Sequence, residues 1–232
     1  VFLMSSMLAG AAFAGSVGAD DYTCVGTSQD DSADTENYND YLQTIYGREN
    51  GIPGGCANDI AQTNDGALGF GTYGGLYRHN GSEFKWMDGY ESVKTVNCLY
   101  KDEEGRLWIG TNDNGISIII NDTLANVISK EDGLAADSVR CITQSTDGDY
   151  YVGTTGELSI VTLAGGLSVK STVHDITYAR CIDAASNGDV AVVTDKGLLY
   201  LLNSGRIINM RFPDGTDSYT CCRYYGDRLD AG

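Results

Sequence analysis

Short apolar runs alternate along the chain with turns rich in glycine, asparagine and aspartate. One turn, an acidic or amide residue followed by glycine, recurs with its glycine at positions 66, 105, 148 and 188, and a shorter version stands at Gly226-Asp227. Successive glycines are 39, 43, 40 and 38 residues apart. Periods of this size are typical of solenoids, propellers and related repeat arrays.

An apolar run follows each turn and another precedes it. The strands predicted after the turns are Leu68–Thr72, Leu107–Thr111, Tyr150–Thr154 and Val190–Thr194. Those predicted before the turns are Val96–Tyr100, Val139–Ile142 and Ala179–Ile182. The runs are short and rich in β-branched and aromatic residues, which favours strands over helices. With the segments that follow, each repeat supplies about four antiparallel strands, which indicates a β-propeller.

The predicted fold class is therefore all-β: a β-propeller of four-stranded antiparallel blades. The expected blades cover residues 50–88, 89–129, 130–172, 173–212 and 213–232. The fifth stops within its hairpin, so residues 48–232 are expected to form an incomplete propeller of four blades and the start of a fifth. Because propellers contain roughly four to eight blades, we expect the parent protein to supply the rest.

The N-terminal segment predicts where the protein is located. Residues 1–14 are apolar or small, and Ala12-Phe13-Ala14 fits the cleavage pattern of a secretory signal peptide. The alternative is the remnant of a membrane anchor, although the segment is too short to span a bilayer by itself. A charged leading region and an initiator Met are missing, so we expect the chain to lack its natural start. Both interpretations place the protein outside the cytoplasm, at the cell surface or in the periplasm, with residues 15–47 as an acidic linker.

The composition excludes one class of partner. The formal net charge is −17 and the pI is about 4.2. Nucleic-acid binding requires a basic surface, so we expect no nucleic-acid partner. The acidity is interpreted as a solvated surface.

Seven cysteines in an exported protein first suggest disulfides. Four of them occupy equivalent places in successive repeats: Cys98, Cys141, Cys181 and Cys222. Neighbouring sheets pack about 10 Å apart, whereas a disulfide requires Cα atoms within about 7 Å. We therefore interpret these four as small buried apolar residues. A bridge between Cys24 and Cys56, or one that contains Cys221, remains an open alternative.

Two stretches carry a family resemblance. Residues 102–116 read DEEGRLWIGTNDNGI, and residues 50–78 contain NGIP, IAQ, DG and GTYGGLYR in that order. Both resemble the two-component regulator propeller repeat, whose core is D-x-x-G-x-L-W-I-G-T-x-x-G-L. The resemblance extends over about residues 48–232, is strongest in the second blade, and is weakest in the fourth, which lacks the Trp and the Gly-Thr pair.

In that family the propeller is the extracytoplasmic input domain of bacterial membrane sensors. The output is a histidine kinase, often hybrid and often responding to carbohydrates, or a diguanylate cyclase, and the first two blades look more similar to the cyclase class. The resemblance thus implies a ligand-sensing or interaction domain that is not itself an enzyme. No cofactor or metal is expected, because the sequence contains no CxxC or Cys/His spacing typical of zinc and only two histidines, His79 and His174. The expected partners are a small ligand such as a carbohydrate or peptide, the remaining blades and a membrane-linked signalling domain, with a homodimer of the full-length protein also allowed.

The candidate ligand-binding residues follow from strand direction. The loops between second and third strands emerge on the same side as the loops between blades, and we call this side the loop face. Loops on a rigid scaffold often carry binding function. The candidates on the loop face are Tyr73, Asn112, Asp113, Asn114, Asp195 and Lys196, beside the loops 51–53 and 132–133.

Several other residues admit a structural and a functional interpretation. Trp108 and Trp86 could stack on a sugar, but a Trp in a repeated strand position favours packing between blades. The turn residues Asp65, Glu104, Asp147 and Asn187 could act as acid, base or metal ligand. Because they recur once per blade in a hairpin turn, turn chemistry explains them. The run 112–115 lacks the alternating acidic ligands of a calcium loop.

Three functions compete at this point. The first is the sensor input domain. The second is a secreted propeller enzyme acting on polysaccharide, which requires paired carboxylates or a Tyr/His/Arg cluster, and outside the repeated turns the sequence contains no such pair. The third is an exported scaffold without a small ligand or catalytic activity.

Overall fold

The computed structural model describes residue 46 and residues 48–52, 56–203, 205–210 and 218–232. The expected export segment, Cys24 and all of the acidic linker except Tyr46 lie outside the described residues. The chain divides into two units, Val1–Gly54 and Gly55–Gly232. In the first unit a 3-10 turn covers Arg48–Asn50. No helix in the described part of the chain is long and apolar enough to cross a membrane.

Within its described residues, the second unit consists of four four-stranded sheets and one two-stranded hairpin. Blade one comprises β1 Ala57–Gln62, β2 Leu68–Thr72, β3 Gly75–His79 and β4 Phe84–Trp86. Blade two comprises β5 Val96–Lys101, β6 Leu107–Thr111, β7 Ile116–Ile120 and β8 Thr123–Ile128. Blade three comprises β9 Val139–Gln144, β10 Tyr150–Thr154, β11 Glu157–Thr162 and β12 Ser168–Thr177. Blade four comprises β13 Ala179–Ala184, β14 Val190–Thr194, β15 Leu199–Asn203 and β16 Arg206–Met210, and the fifth hairpin comprises β17 Cys222–Tyr225 and β18 Arg228–Ala231.

The all-β propeller prediction is confirmed, down to the bounds of β2, β6, β10 and β14. All strands pair antiparallel with their neighbours in chain order. Two 3-10 turns, Glu91–Val93 and Lys130–Asp132, lie in the connections before blades two and three. The glycines of the repeated turn all have positive φ, between 65° and 91°. This left-handed backbone is what the repeated acidic-Gly turn requires.

One blade boundary is wrong. Blade three was expected to end at residue 172, but β12 runs to Thr177, where it pairs with Glu157 on β11. Tyr178 alone then connects blade three to blade four, and its φ of 53° supplies the reversal. No glycine or proline marks this connection in the sequence, so the pattern of turn residues could not locate it.

The first strand of each blade forms its inner edge. The strands β1, β5, β9, β13 and β17 contact one another in succession. The hydrophobic core accordingly lies between blades: one cluster joins Trp108 and Ile116 of blade two to Val139, Ile142 and Tyr150 of blade three. Since each blade buries its apolar face on the next, stability depends on neighbouring repeats.

The glycine of the Gly-Thr pair makes room for the next blade. An added Cβ at Gly71 would lie 2.5 Å from Val96 Cγ1, and one at Gly110 would lie 2.7 Å from Val139 Cγ1. A Cβ on Gly153 would lie 2.8 Å from the Cβ of Ala179. Each of these partners opens the first strand of the following blade. The glycine therefore permits close blade packing, which is a recognised use of glycine within strands.

The threonine of the pair closes the loop after the second strand. Thr72 Oγ1 donates to the carbonyl oxygen of Gly75 at 3.0 Å, and Thr111 Oγ1 donates to that of Gly115 at 3.0 Å. Thr154 Oγ1 donates to Glu157 at 2.8 Å. These buried hydroxyls hold the ends of each loop together, so the variable residues between them are displayed on a fixed base.

The prediction of small buried cysteines is partly right. Cys98 and Cys141 face Gly110 and Gly153, and an added Cβ at either glycine would lie 2.4 Å from the opposing sulfur. These two cysteines therefore occupy space that the glycines leave.

The spacing of about 10 Å expected between sheets does not describe the distance between the cysteine side chains at one junction. The sulfurs of Cys181 and Cys222 are 3.9 Å apart. A spacing of about 10 Å holds for sheets stacked face to face, whereas propeller blades converge at their inner strands.

The glycine account predicts the effect of one added methyl group. Gly110→Ala should lower the free energy of unfolding by about 1–3 kcal/mol, because the new Cβ overpacks the junction of blades two and three. Urea denaturation measures this change. Gly89→Ala is the matched control, since no heavy atom lies within 4 Å of an added Cβ there. Equal destabilisation of both variants would contradict the packing role of Gly110.

Candidate functional site

The predicted loop-face residues are accessible. Tyr73 is 67% exposed, and Asn112, Asp113, Asp195 and Lys196 are exposed as well. Asn114 is half-buried. The six residues lie on the loops between second and third strands of blades one, two and four. Their role in ligand binding stays a prediction.

The loop after β6 is rigidly built. Asn114 donates its backbone N–H to Thr111 Oγ1 at 2.9 Å, inside the loop that this hydroxyl closes. Gly115 has a φ of 67°, and an added Cβ there would lie 2.2 Å from the carbonyl oxygen of Ile128. Only glycine fits this position, so Asn112, Asp113 and Asn114 have little freedom to move.

Backbone hydrogen bonds fix the loops on both sides. Within their own blades, Asn112 donates to Thr95 at 2.9 Å and Asp195 donates to Tyr178 at 2.9 Å, each partner preceding the first strand. Toward the following blade, Gly115 donates to Asp137 at 2.9 Å, and Gly197 accepts from Tyr219 at 3.0 Å. The loops after β6 and β14 are thus anchored both to their own blade and to the following one.

The two carboxylates of the loop face, Asp113 and Asp195, each have polar or charged side-chain partners. Asp113 accepts hydrogen bonds from the hydroxyl of Thr95 and, at 2.9 Å, from Asn114 Nδ2. Asp195 Oδ2 lies 3.8 Å from an Arg140 nitrogen, and Arg140 belongs to the inner strand β9 of the preceding blade. The loop face thus exposes carboxylates next to hydroxyl, amide and guanidinium donors. This combination suits hydrogen bonding to a polar ligand.

Two exposed groups beside the predicted residues were not foreseen. Tyr178, in the connection between blades three and four, is 50% exposed, and its carbonyl oxygen accepts the backbone hydrogen bond of Asp195. Arg140 reaches the same loop from β9. The sequence carries no signal for either residue, because a tyrosine between two strands and an arginine on a strand are read as ordinary surface positions.

A groove on the opposite side was also missed. It has a volume of about 300 Å³ and lies between blades one and two, where the hairpin turns emerge. Its apolar lining includes Leu76, Leu107 and Ile119, and its polar rim includes Arg78. Arg78 forms ion pairs with acidic side chains of both blades: Asp65 and Asp122. A second groove of about 480 Å³ lies between blades two and three. The sequence placed these residues in separate repeats and therefore did not indicate that they share a groove.

Turn chemistry accounts for the repeated turn residues. Asp147 Oδ1 accepts from the backbone of Asp149 at 3.2 Å, and Asn187 Oδ1 accepts from Asp189 at 2.9 Å. Asp65 Oδ1 likewise accepts from Ala67 at 3.4 Å. These contacts over two residues are typical of Asx turns. The prediction of a structural role is confirmed for these three positions.

Trp108 belongs to the core, as predicted. It is fully buried and stacks on Tyr150 of blade three, with ring centroids 3.8 Å apart. Its Nε1 donates to Asp102 Oδ2 at 2.8 Å. The indole is therefore unavailable to a ligand, and its stacked ring contributes to the junction between blades.

Trp86 is not packed between blades, so that part of the prediction is wrong. It is 49% exposed on the outer strand β4 and stacks on Tyr77 of β3, with centroids 6.3 Å apart. Its Nε1 would lie 2.9 Å from a Cβ added at Gly75, so the ring covers that glycine. An outer strand has solvent on one side, which is why its Trp is half exposed.

Asp102 is the buried acceptor at the centre of this junction. Its side chain is fully buried, and it accepts from Trp108 Nε1, from Tyr150 OH at 2.9 Å and from Arg106 Nε at 2.6 Å. Burial acts to raise the pKa of Asp102, but the hydrogen bonds from Trp108, Arg106 and Tyr150 together outweigh it and hold this pKa below its usual value. The carboxylate is therefore ionised at neutral pH and joins blades two and three.

Residues 90–113 match the family model described as "Two component regulator propeller". The predicted resemblance is confirmed for this segment, which lies in blade two. The matched segment contains the Asp102 turn, Trp108 and the Gly110-Thr111 pair. A search of curated protein sequences finds no match.

Solved structures share the propeller fold at low sequence identity. The extracellular domain described as that of hybrid two component system BT3049 from B. thetaiotaomicron matches with a TM-score of 0.61 and 20% identity, over 72% of this chain and 24% of that one. The corresponding domain of BT4673 from the same organism matches with a TM-score of 0.63 and 17% identity, over 76% and 28%. A catalytically inactive virginiamycin B lyase from Staphylococcus aureus matches with a TM-score of 0.62 and 14% identity, over 78% and 64%. The chain thus spans about a quarter of the length of these two extracellular domains.

The Asp102 network predicts a pH dependence of stability. Because the folded pKa is depressed, the carboxylate stabilises the fold above the unfolded pKa of about 3.9, and this contribution is lost as pH falls through the folded pKa. Asp102→Asn should therefore destabilise the protein by about 1–3 kcal/mol at neutral pH, with a smaller difference from wild type below about pH 4.

Urea denaturation at several pH values measures this difference. Glu103→Gln is the control, because it removes an exposed carboxylate from the same turn and should change stability little at any pH. A constant deficit of Asp102→Asn down to the lowest pH would show that the ionised carboxylate is not what stabilises the junction.

Proposed function

We propose that the chain is part of an extracytoplasmic sensor propeller, the input domain of a bacterial transmembrane signalling protein. The observation that carries the proposal is the match of residues 90–113 to the two component regulator propeller family. The extracellular domains of hybrid two component systems that share the fold support it. A membrane-linked histidine kinase or diguanylate cyclase would be the output partner, joined through the remaining blades.

The proposed ligand surface is the loop face. Its loops are held by hydrogen bonds on both sides, so little conformational entropy is lost when a ligand binds. Exposed rings of Tyr73 and Tyr178 offer flat apolar surfaces, and Asn112, Asp113 and Asp195 offer donors and acceptors. This combination suits a carbohydrate or a short peptide, which presents both apolar faces and hydroxyl or amide groups.

The alternative of a secreted propeller enzyme is less well supported. The lyase with the same fold shows that such propellers can be catalytic. In this chain His79 is 4% exposed and packs on Phe84, with ring centroids 4.3 Å apart. His174 is exposed on the outer strand β12, 3.6 Å from Glu157. Neither histidine lies among the candidate residues of the loop face.

A binding experiment tests the role of the loop face. A panel of oligosaccharides and dipeptides is screened by thermal shift, and affinities are then measured by calorimetry. Tyr73→Ala and Asp195→Ala should each weaken binding about tenfold, the loss expected for one contact worth about 1.4 kcal/mol. Tyr225→Ala is the matched control, because Tyr225 is also 67% exposed but lies beside a hairpin turn on the opposite side.

Loss of binding in Tyr225→Ala with no loss in the loop-face variants would place the ligand on the hairpin-turn side. Absence of binding by the whole panel would favour an exported scaffold over a sensor of these ligands.

Reporter fusions test the proposed location. Alkaline phosphatase fused in frame after residue 232 of the natural gene should be active, because this enzyme requires the disulfides that form outside the cytoplasm. β-Galactosidase fused at the same position is the control and should be inactive. The reverse pattern would place the propeller in the cytoplasm and contradict its proposed role as an extracytoplasmic input domain.

A further inference from the structure

Cys181 on β13 and Cys222 on β17 face each other across the junction of blade four and the fifth hairpin. Their sulfurs are 3.9 Å apart. The backbone N–H of Cys222 donates to Cys181 Sγ at 3.4 Å, and Cys181 Sγ lies 3.5 Å from the carbonyl oxygen of Cys222. The two side chains are thus in direct contact along the inner edges of two neighbouring blades.

A departure from the repeat explains why this pair meets. In blades two and three the equivalent cysteines pair across the sheet with Gly110 and Gly153, and their sulfurs occupy the space above the glycine. Cys181 pairs instead with Val193, which is fully buried. The valine side chain occupies that space, so the sulfur of Cys181 lies against β17 of the next blade.

The surroundings of the two sulfurs differ. Cys222 is 4% exposed, whereas Cys181 is half-buried and within reach of a small solute. Hydrogen bonds from the Cys222 thiol and backbone N–H lower the pKa of Cys181 against the opposing effect of burial. The pKa of Cys222 is raised, because its thiol donates to Cys181 and because it is buried. Cys181 is therefore the nucleophile of the pair, since the thiolate is the reactive form.

We propose that Cys181 and Cys222 form a redox-modification site that hydrogen peroxide converts into a disulfide between blade four and the fifth hairpin. This inference is independent of the ligand proposed for the loop face. The sulfurs must approach by about 1.9 Å to reach the S–S bond length of about 2.05 Å.

The reaction balances in two steps. The Cys181 thiolate attacks peroxide, an S–O bond forms, the O–O bond breaks, and hydroxide leaves and takes up a proton as water. Cys222 then loses its proton and attacks the sulfenic sulfur; an S–S bond forms, the S–O bond breaks, and the leaving hydroxide takes up that proton as a second water. Two thiols are oxidised and one peroxide is reduced to two waters. A dithiol reductant restores both thiols by disulfide exchange.

The neighbouring cysteines serve as matched controls. Cys221 precedes Cys222 and is exposed, with its sulfur 3.9 Å from the carbonyl oxygen of Gly232. Cys221 lies one residue before β17, and its sulfur contacts Gly232 rather than Cys181. Cys141 occupies the place equivalent to Cys181 one blade earlier and faces Gly153.

The test uses the 232-residue chain treated with graded hydrogen peroxide, followed by thiol blocking, proteolysis and mass spectrometry without reductant. We expect one crosslinked peptide pair that contains Cys181 and Cys222 and disappears after dithiothreitol. Cys141→Ser and Cys221→Ser should retain the crosslink, whereas Cys181→Ser and Cys222→Ser should each abolish it. Because the crosslink ties the fifth hairpin to blade four, peroxide should raise the thermal midpoint by several degrees, and reductant should reverse the rise.

Three results would overturn the proposal. One is a crosslink that requires Cys221 or Cys141. Another is oxidation of Cys181 to sulfinic acid in the wild type at the same peroxide concentration as in Cys222→Ser, because a resolving thiol should prevent it. The third is a thermal midpoint of the unsubstituted chain that peroxide leaves unchanged, which measures the crosslink without depending on the folding of any variant.

Discussion

The close approach of neighbouring blades is the constraint on which the rest of this structure depends. A single blade exposes an apolar face that it cannot bury within itself, so each sheet must pack on the next. The second strand supplies the contact surface, and its glycine accepts the residue that opens the following blade. Trp108, Asp102 and Tyr150 then complete the junction of blades two and three with a stacked pair of rings and a buried carboxylate.

The same constraint determines where variation can occur. The threonine that ends the second strand closes its loop, and backbone hydrogen bonds fix the loop to the blade entry beside it. Residues between these fixed points, such as Asn112 and Asp113, can be substituted by other amino acids without disturbing the packing between blades. Where the glycine of the second strand is replaced, the contact made by the facing cysteine changes as well. Val193 replaces the usual glycine, and Cys181 consequently lies against Cys222 instead of within its own blade.

Arginine side chains connect the blades of this acidic protein. Arg78 joins Asp122 across the first junction, and Arg106 donates to Tyr150 across the second at 2.8 Å. The third and fourth junctions are crossed by Arg140 with Asp195 and by Arg223 with Asp183. The whole chain has a net charge of −17, and each junction holds an arginine that partly neutralises nearby carboxylates.

The sequence by itself determined the repeat, the fold class and the bounds of the second strands, because a glycine turn and a Gly-Thr pair mark local requirements that recur at a fixed period. It also distinguished the structural role of the turn residues, since turn chemistry is local. Only the tertiary structure decided what lies on either side of a junction. The exposure of Trp86, the end of blade three at Thr177, the groove around Arg78 and the contact of Cys181 with Cys222 all depend on how separate repeats converge in space. A period along the chain records that blades repeat, but side chains about 40 residues apart meet only through the geometry of blade packing.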